Sequence, residues 1–235
     1  MLEIAGLDGE YLAIEADARV LAESVAGLRE GRWHGLNITM PLKRDAARMA
    51  DSLAPRAARS GSVNTLSLRG GVVYGDTTDS AAFSELLGTS RFQGITTALV
   101  LGAGGAAAAA LTAMPPRMNV YLAARRADQA VALAERMGGE AVSWGSAVAG
   151  ALVLNTTPLG MRGESLPEGV LEVGSGLIDL PYGPAKTPAV VFAEQEGIPH
   201  ADGHEFLLRQ AIASFASWTG ERIDLSALRQ ALRKA

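Results

Sequence analysis

Lysine is scarce in this chain: of 21 basic residues only Lys43, Lys186 and Lys234 are lysine, and the rest are arginine. An ammonium can give up its proton and take it back, whereas a guanidinium stays charged at any ordinary pH. A position that keeps lysine against this bias is a candidate for acid–base chemistry. Anion binding is the second chemistry in view. The apolar run Thr97-Ala98-Leu99-Val100-Leu101 leads directly into Gly102-Ala103-Gly104-Gly105-Ala106-Ala107, a match to G-x-G-x-x-A at a strand-to-helix junction. The first glycine permits the tight turn, the second lets backbone approach a pyrophosphate, and the small third position packs helix on strand. At the end of the next strand, where NAD-binding proteins carry a carboxylate, stand Ala123-Ala124-Arg125-Arg126. Two planar guanidinium forks suit a 2′-phosphate, so the expected cofactor is NADP in preference to NAD.

These residues need a scaffold, and the periodicity supplies one. Residues 17–30 carry apolar positions at helical spacing and stop at Gly31. Leu36–Met40 alternates like a strand and ends at Pro41, and a helical pattern runs from Lys43 to about Leu53. Val63–Leu68 and Val72–Tyr74 read as strands joined through the turn Arg69-Gly70-Gly71. From residue 97 onward strands alternate with helices: 97–101, 106–114, 119–122, 128–137, 141–142, 152–154 and 177–179. That alternation implies right-handed crossovers and a doubly wound parallel sheet. Residues 206–215 and 225–232 read as closing helices.

Composition narrows the function classes. A chain of 235 residues, 48% hydrophobic and 20% charged, buries a real core and is not disordered. It has no cysteine, so disulfides, thiolate metal sites and cysteine nucleophiles are excluded. With only His34, His200 and His204 as soft ligands, no metal site is expected; His204 and Glu205 read as solvated. The net charge is −4 and no run of about five like charges appears, which gives nucleic acid or anionic lipid no electrostatic footprint. No apolar stretch reaches the roughly 18 residues a bilayer span needs. The N-terminus lacks a signal-peptide layout, and the expected location is cytoplasmic with a small molecule as partner.

The order of motifs resembles the shikimate dehydrogenase family over nearly the whole chain. Asn37-Ile38-Thr39-Met40-Pro41-Leu42-Lys43 is similar to N-V-T-x-P-x-K, Gly61-Ser62-Val63-Asn64-Thr65-Leu66 to G-A-V-N-T-L, and Gly75-Asp76-Thr77-Thr78-Asp79 to G-x-N-T-D. The glycine loop follows, then Asn155-Thr156-Thr157-Pro158-Leu159-Gly160-Met161, Asp179-Leu180-Pro181-Tyr182 with Thr187-Pro188, and Asp202-Gly203 with Gln210-Ala211. The resemblance implies an α/β protein of two domains: an NADP-binding Rossmann domain, residues 87–205, and a smaller α/β substrate domain formed by 1–86 and 206–235. It implies reversible hydride exchange between NADP and the ring hydroxyl of shikimate or ketone of 3-dehydroshikimate, within aromatic amino acid biosynthesis.

The resemblance also assigns residues. The catalytic lysine falls on Lys43 and its carboxylate partner on Asp79, although Asp79 also suits a helix N-cap before Ser80-Ala81-Ala82-Phe83. An amine can take the hydroxyl proton as hydride leaves a secondary alcohol, and a carboxylate can orient both groups. Thr39, Asn64 and Gln210 match positions that bind ring hydroxyls, work suited to uncharged groups that donate and accept. Tyr182 and Met161 match the nicotinamide side, with Tyr182 also reaching substrate. Cofactor contacts fall on Gly102, Ala103, Gly104, Gly105, Ala106, Arg125, Arg126, Thr156, Met161 and Gly203.

The family opens with a strand and an S-x-S-P pair that binds the substrate carboxylate, and this chain has no such motif. Residues 2–11 read as the tail of the following helix and the start of a further strand. The expectation is a substrate sheet short of one strand, with an exposed edge that a second copy could cover as a homodimer, and a carboxylate anchor supplied from elsewhere. Two alternatives stay open: a non-catalytic NADP-binding or regulatory protein on the same scaffold, and a quinate-type dehydrogenase.

Overall fold

The computed structural model describes residues 1–232; Lys234 and the last residues of the expected substrate domain lie outside the described residues. The chain divides into two compact units, Met1–Ala81 with the chain from Leu208 onward, and Ala82–Leu207.

The first unit begins with a single helical turn, α1 (Leu2–Ala5), and helix α2 (Ala18–Arg29), whose N-cap Asp17 accepts from Val20 N. Then come β1 (Gly35–Asn37), α3 (Lys43–Met49), β2 (Ser52–Leu53), α4 (Pro55–Ser60), β3 (Thr65–Arg69) and β4 (Val72–Asp76). The sheet order is β1-β3-β4-β2, antiparallel except for the parallel β2–β4 pair. Gly70 and Gly71 form the two-residue hairpin loop with φ of 57° and 82°, the left-handed pair that a tight hairpin of this length demands. Leu21, Val25 and Leu28 of α2 pack with Ile38, Val63, Leu66 and Val73 to make the core of this unit. Trp218 closes it from the C-terminal side: its Nε1 donates to Leu66 O at 3.0 Å, and a Cβ at Gly35 would lie 2.0 Å from the indole.

Three sequence expectations change here. The strand at 36–40 is shorter, Gly35–Asn37, because Leu42 N bonds Thr39 O and turns the chain through Met40 and Pro41. The helix from Lys43 stops at Met49; Ala50 is extended, and Asp51 is drawn to Val73 N and to Arg29. No strand forms at Tyr11. Residues 7–17 join no ladder and leave Tyr11, Leu12 and Ile14 exposed, and a strand without a partner has nothing to hold it extended.

Helix α5 (Thr78–Leu87) leads out of the first unit. The second unit contains β5 (Thr97–Leu101), α6 (Gly105–Ala113), β6 (Asn119–Ala123), α7 (Ala127–Met137), β7 (Glu140–Val142), β8 (Leu152–Asn155), β9 (Gly176–Asp179), α8 (Pro188–Gln195) and β10 (His200–Ala201). All six strands are parallel in the order β10-β9-β8-β5-β6-β7. This is the doubly wound order, and its switch point lies between β5 and β8. Alternate residues feed opposite faces: Val100, Leu122, Leu152 and Leu154 pack on one side with the buried alanines of α6, while Leu99, Leu101, Val153 and Leu177 pack on the other with α8. Helix α9 (Gly203–Thr219) returns the chain to the first unit, and α10 (Leu225–Leu232) follows. Among the described residues no helix is long and apolar enough to cross a membrane, and no cluster of metal-binding side chains is found.

Candidate active site

In the first unit Lys43, Asp79, Asn64 and Gln210 come together from four elements. Lys43 is the first residue of α3, and its carbonyl accepts from Val63 N at 3.0 Å, which ties that helix start to the segment bearing Asn64. Asn64 sits between two neighbouring segments, with its carbonyl accepting from Ile38 N at 2.8 Å and its N–H donating to Asp76 O at 3.1 Å. Asp79 stands inside the first turn of α5, not at its N-cap. Its Oδ2 lies 2.5 Å from Lys43 Nζ, and its Oδ1 accepts from Asn64 Nδ2 at 2.9 Å. The carboxylate is almost fully shielded, at 6% side-chain exposure, while Lys43 keeps 20% and so remains reachable from solvent.

The orientation of the Asn64 amide is fixed by a donor that has no alternative. Thr78 N–H points at Asn64 Oδ1 at 2.7 Å, so the NH₂ must face Asp79, with Gln210 Oε1 at 3.2 Å and Thr78 Oγ1 at 3.0 Å. With Gln210 Oε1 engaged in this way, its NH₂ is the part of the side chain left to donate outward. The site therefore offers an ammonium, a carboxylate and an outward amide donor within one small patch. Thr39 is exposed at the turn before Pro41, and among the described residues no hydrogen bond joins its hydroxyl to this group.

Behind the patch lies a polar layer that sequence reasoning did not assign. Arg56 grips the buried Asp76 through both carboxylate oxygens at 2.6 and 2.5 Å, and the carboxylate in turn holds the guanidinium above its ordinary pKa. Asp76 Oδ1 also accepts from Thr77 N, which braces the corner where β4 turns into α5. Asn37, Thr65, Thr78 and Ser214 form a hydrogen-bonded cluster beneath Asn64. Asn37, Thr65, Asp76 and Thr78 belong to the quoted motifs; Ser214 is signalled only by lying one helical turn after Gln210.

In the second unit the glycine loop occupies the carboxyl end of β5, beside the switch point. Gly102 has φ of 113°, and a Cβ there would lie 2.6 Å from Thr156 Oγ1. Thr156 is held in place by donating to Leu101 O at 2.7 Å. Gly104 caps α6 with open space around it, Gly105 starts the helix, and Ala103 and Ala106 remain partly exposed. Arg125 and Arg126 are exposed at the end of β6. A helix N-terminus presenting free N–H groups, with two guanidinium groups one strand away, is a donor set that fits a dinucleotide bearing an extra phosphate.

Tyr182 and Gly203 share a surface cavity of about 230 Å³ with Lys186, Thr187, Asp202 and His204. The Tyr182 and His204 rings lie 5.7 Å apart, and a Cβ at Gly203 would collide at 2.4 Å with the carbonyl oxygens of Leu180 and Pro181. Met161 is exposed on the loop after β8 and does not line this cavity. That loop and the Tyr182 loop are tied through Asp179, which accepts from Asn155 Nδ2 at 2.7 Å and from Thr187 Oγ1. Burial pushes the Asp179 carboxyl up, against the pull of those two hydrogen bonds. Glu205 is not solvated as its sequence position implied: it binds Arg91 through both oxygens at 2.9 Å and is 11% exposed. His204 is exposed.

A family model for the shikimate dehydrogenase substrate binding domain matches residues 1–66. The NADP(+)-dependent shikimate dehydrogenase of Gluconobacter oxydans is 35% identical over 92% of this chain and 82% of its own length, and that of Thermus thermophilus 34% over 100% and 90%. Among solved structures, a shikimate 5-dehydrogenase from Thermus thermophilus in complex with NADP(H) and shikimate superposes with a TM-score of 0.86 at 33% identity. The match covers 99% of this chain and 90% of that one. With the doubly wound cofactor fold, the lysine–aspartate pair and relatives of this identity along almost its full length, the chain belongs to the shikimate dehydrogenase family.

Proposed function

We propose that this protein is an NADP-dependent dehydrogenase that interconverts shikimate and 3-dehydroshikimate. The observation that carries the reading is the Lys43–Asp79 pair at 2.5 Å, with the second Asp79 oxygen held by Asn64. Bound NADP supplies the hydride acceptor for alcohol oxidation and the hydride donor for the reverse reaction. Gly102, Gly104 and Gly105, with Arg125 and Arg126, are the residues that would hold its phosphates; Thr156 lies against Gly102, and Met161 and Gly203 are further candidate contacts. Lys43 in its amine form takes the proton of the ring hydroxyl, and as an ammonium it returns that proton to the ketone oxygen. Asp79 keeps Nζ aimed at the reacting oxygen and accepts from a neighbouring ring hydroxyl. Gln210 donates its outward NH₂ to another hydroxyl, and Thr39 completes the polar lining.

On this reading the enzyme works in the cytoplasm on a small molecule and pairs as a homodimer. The exposed Tyr11, Leu12 and Ile14 support pairing, and the net charge of −4 supports the lack of a nucleic-acid partner. The test follows NADPH absorbance with purified protein and shikimate at alkaline pH. Turnover that is lost in Lys43→Ala is expected, and no turnover with either protein overturns the proposal.

A further inference from the structure

Ser214 is fully buried, lies one turn after Gln210 on α9 and touches every element that builds the site's floor. Its Oγ is 2.8 Å from Thr65 Oγ1 on β3, 3.0 Å from Thr78 Oγ1 on α5 and 3.0 Å from Asn37 Nδ2 on β1. It also lies 3.1 Å from the carbonyl oxygen of Gln210. A hydroxyl has one proton and two lone pairs, so these four neighbours compete for three places. Asn37 Nδ2 can only donate, and the Gln210 carbonyl can only accept. The Thr65 and Thr78 hydroxyls must adjust to whatever Ser214 does. Those same two hydroxyls reach Asn64 Oδ1 at 3.1 and 3.2 Å, and Thr78 Oγ1 lies 3.4 Å from Gln210 Oε1. Ser214 is thus one step from both amides of the candidate site without facing it.

We infer that Ser214 is a positioning residue: it sets the register of α9 so that the Gln210 amide meets Asn64 and turns its NH₂ outward to the substrate ring. The inference rests on the reading of Asn64 and Gln210 as hydroxyl-binding groups. The network does not carry a proton to Lys43, because the path from Ser214 through Thr78 to Asp79 passes the Asn64 amide, which holds its protons. Its contribution is geometric, and it acts on substrate affinity more than on the chemical step. Removing the hydroxyl leaves Thr65, Thr78 and Asn37 each short of one partner, the two threonines fully buried, and frees α9 to rotate or shift.

The experiment compares the natural chain, Ser214→Ala, Gln210→Ala and the double variant in steady-state kinetics with shikimate and NADP. Ser214→Ala is expected to raise KM for shikimate about tenfold, the scale of one lost buried hydrogen bond. Its kcat stays within about threefold, and KM for NADP is unchanged. Adding Ser214→Ala to Gln210→Ala should raise KM no further, since the first acts through the second. A second readout is independent of turnover: in ¹⁵N spectra the side-chain NH₂ signals of Asn64 and Gln210 should move in Ser214→Ala, while those of Asn119 and Gln129 stay fixed. Additive effects on KM, a fall in kcat with unchanged KM, or unmoved Asn64 and Gln210 signals overturn the inference. If the natural chain does not turn over shikimate, the proposed function fails, and the amide signals alone decide the part assigned to Ser214.

Discussion

Asp79 divides its two oxygens between Lys43 and Asn64: Oδ2 lies 2.5 Å from the ammonium, and Oδ1 accepts from the amide at 2.9 Å. Neither oxygen is free to swing, because the amide that holds Oδ1 is itself locked by Thr78 N–H. The carboxylate therefore gives the lysine a direction as well as a counter-charge. Lys43→Ala should lower kcat by about 10²- to 10⁴-fold, the range of a lost acid–base group. Thermal stability should fall as well, by about 1–3 kcal/mol, because Asp79 Oδ2 loses its partner in a shielded place. A circular-dichroism melt alongside the NADPH assay checks both halves, and an unchanged kcat would sink the assignment.

Removing the Asn64 side chain strands the Thr78 N–H and one Asp79 oxygen in a buried place. Asn64→Ala should cost about 1–3 kcal/mol of stability, the desolvation penalty of a buried polar group left without a partner. It should raise KM for shikimate more than Gln210→Ala does, because it loosens Asp79 as well. Urea unfolding and substrate titration test this, and equal effects from the two variants would contradict it.

Gly102 and Gly203 tolerate no side chain, for different reasons. At Gly102 a Cβ would meet Thr156 Oγ1 at 2.6 Å with φ at 113°, and at Gly203 it would meet two backbone oxygens at 2.4 Å. Gly102→Ala should cost about 1–3 kcal/mol through strain at a backbone conformation that side chains rarely adopt, and it should weaken NADP binding. Shikimate binding, which the proposed function assigns to the other unit, should be unaffected. Calorimetry with each ligand separates the two effects; equal loss of both would count against separate sites.

Arg125 and Arg126 extend into solvent at the end of β6. Replacing both with alanine should weaken NADP binding while leaving NAD binding nearly unchanged, with a preference shift of about tenfold or more if either fork grips the 2′-phosphate. Raising salt should shrink the difference, since exposed charge pairs are screened. A preference that stays put would mean that the phosphate is held elsewhere.

Asp51 links α2 to the first sheet through Arg29 and Val73 N, and the Arg29 guanidinium is the main reason its carboxyl sits at about 2 instead of its ordinary 3.8. A carboxyl lowered by folding adds stability that is fully present above the unfolded value and is lost as pH falls toward the folded one. The gap in urea midpoint between the natural chain and Asp51→Asn should be constant above about pH 5 and narrow between 3.8 and about 2. A gap that does not depend on pH would remove the ion pair as its cause.

Much of the second unit was legible because its order is written locally. Each parallel strand is a short apolar run, and the glycine loop marks the strand at the switch point. In the first unit the meeting of Lys43, Asn64 and Asp79 was legible because their motifs sit close in sequence. What stayed hidden depends on distant partners. Ser214 bonds residues 136 to 177 positions away, and Glu205 finds Arg91 114 positions earlier. Nothing near either residue in the sequence signals such a partner. The helix after Lys43 read too long for a similar reason: Ser52 and Leu53 pair with Tyr74 and Gly75, and that strand pairing overrides helical propensity.

The indole of Trp218, pressed against Gly35 and bonded to the Leu66 carbonyl, has an optical consequence. Its emission depends on that half-buried, hydrogen-bonded seat on the sheet, four residues along α9 from Ser214. Any event that lifts the helix wets the ring and shifts its fluorescence to the red. The chain thus carries its own dye at the helix that bears Gln210, and with the other two tryptophans replaced, as in a Trp33→Phe, Trp144→Phe variant, a stopped-flow trace times how quickly that helix seats when the protein folds.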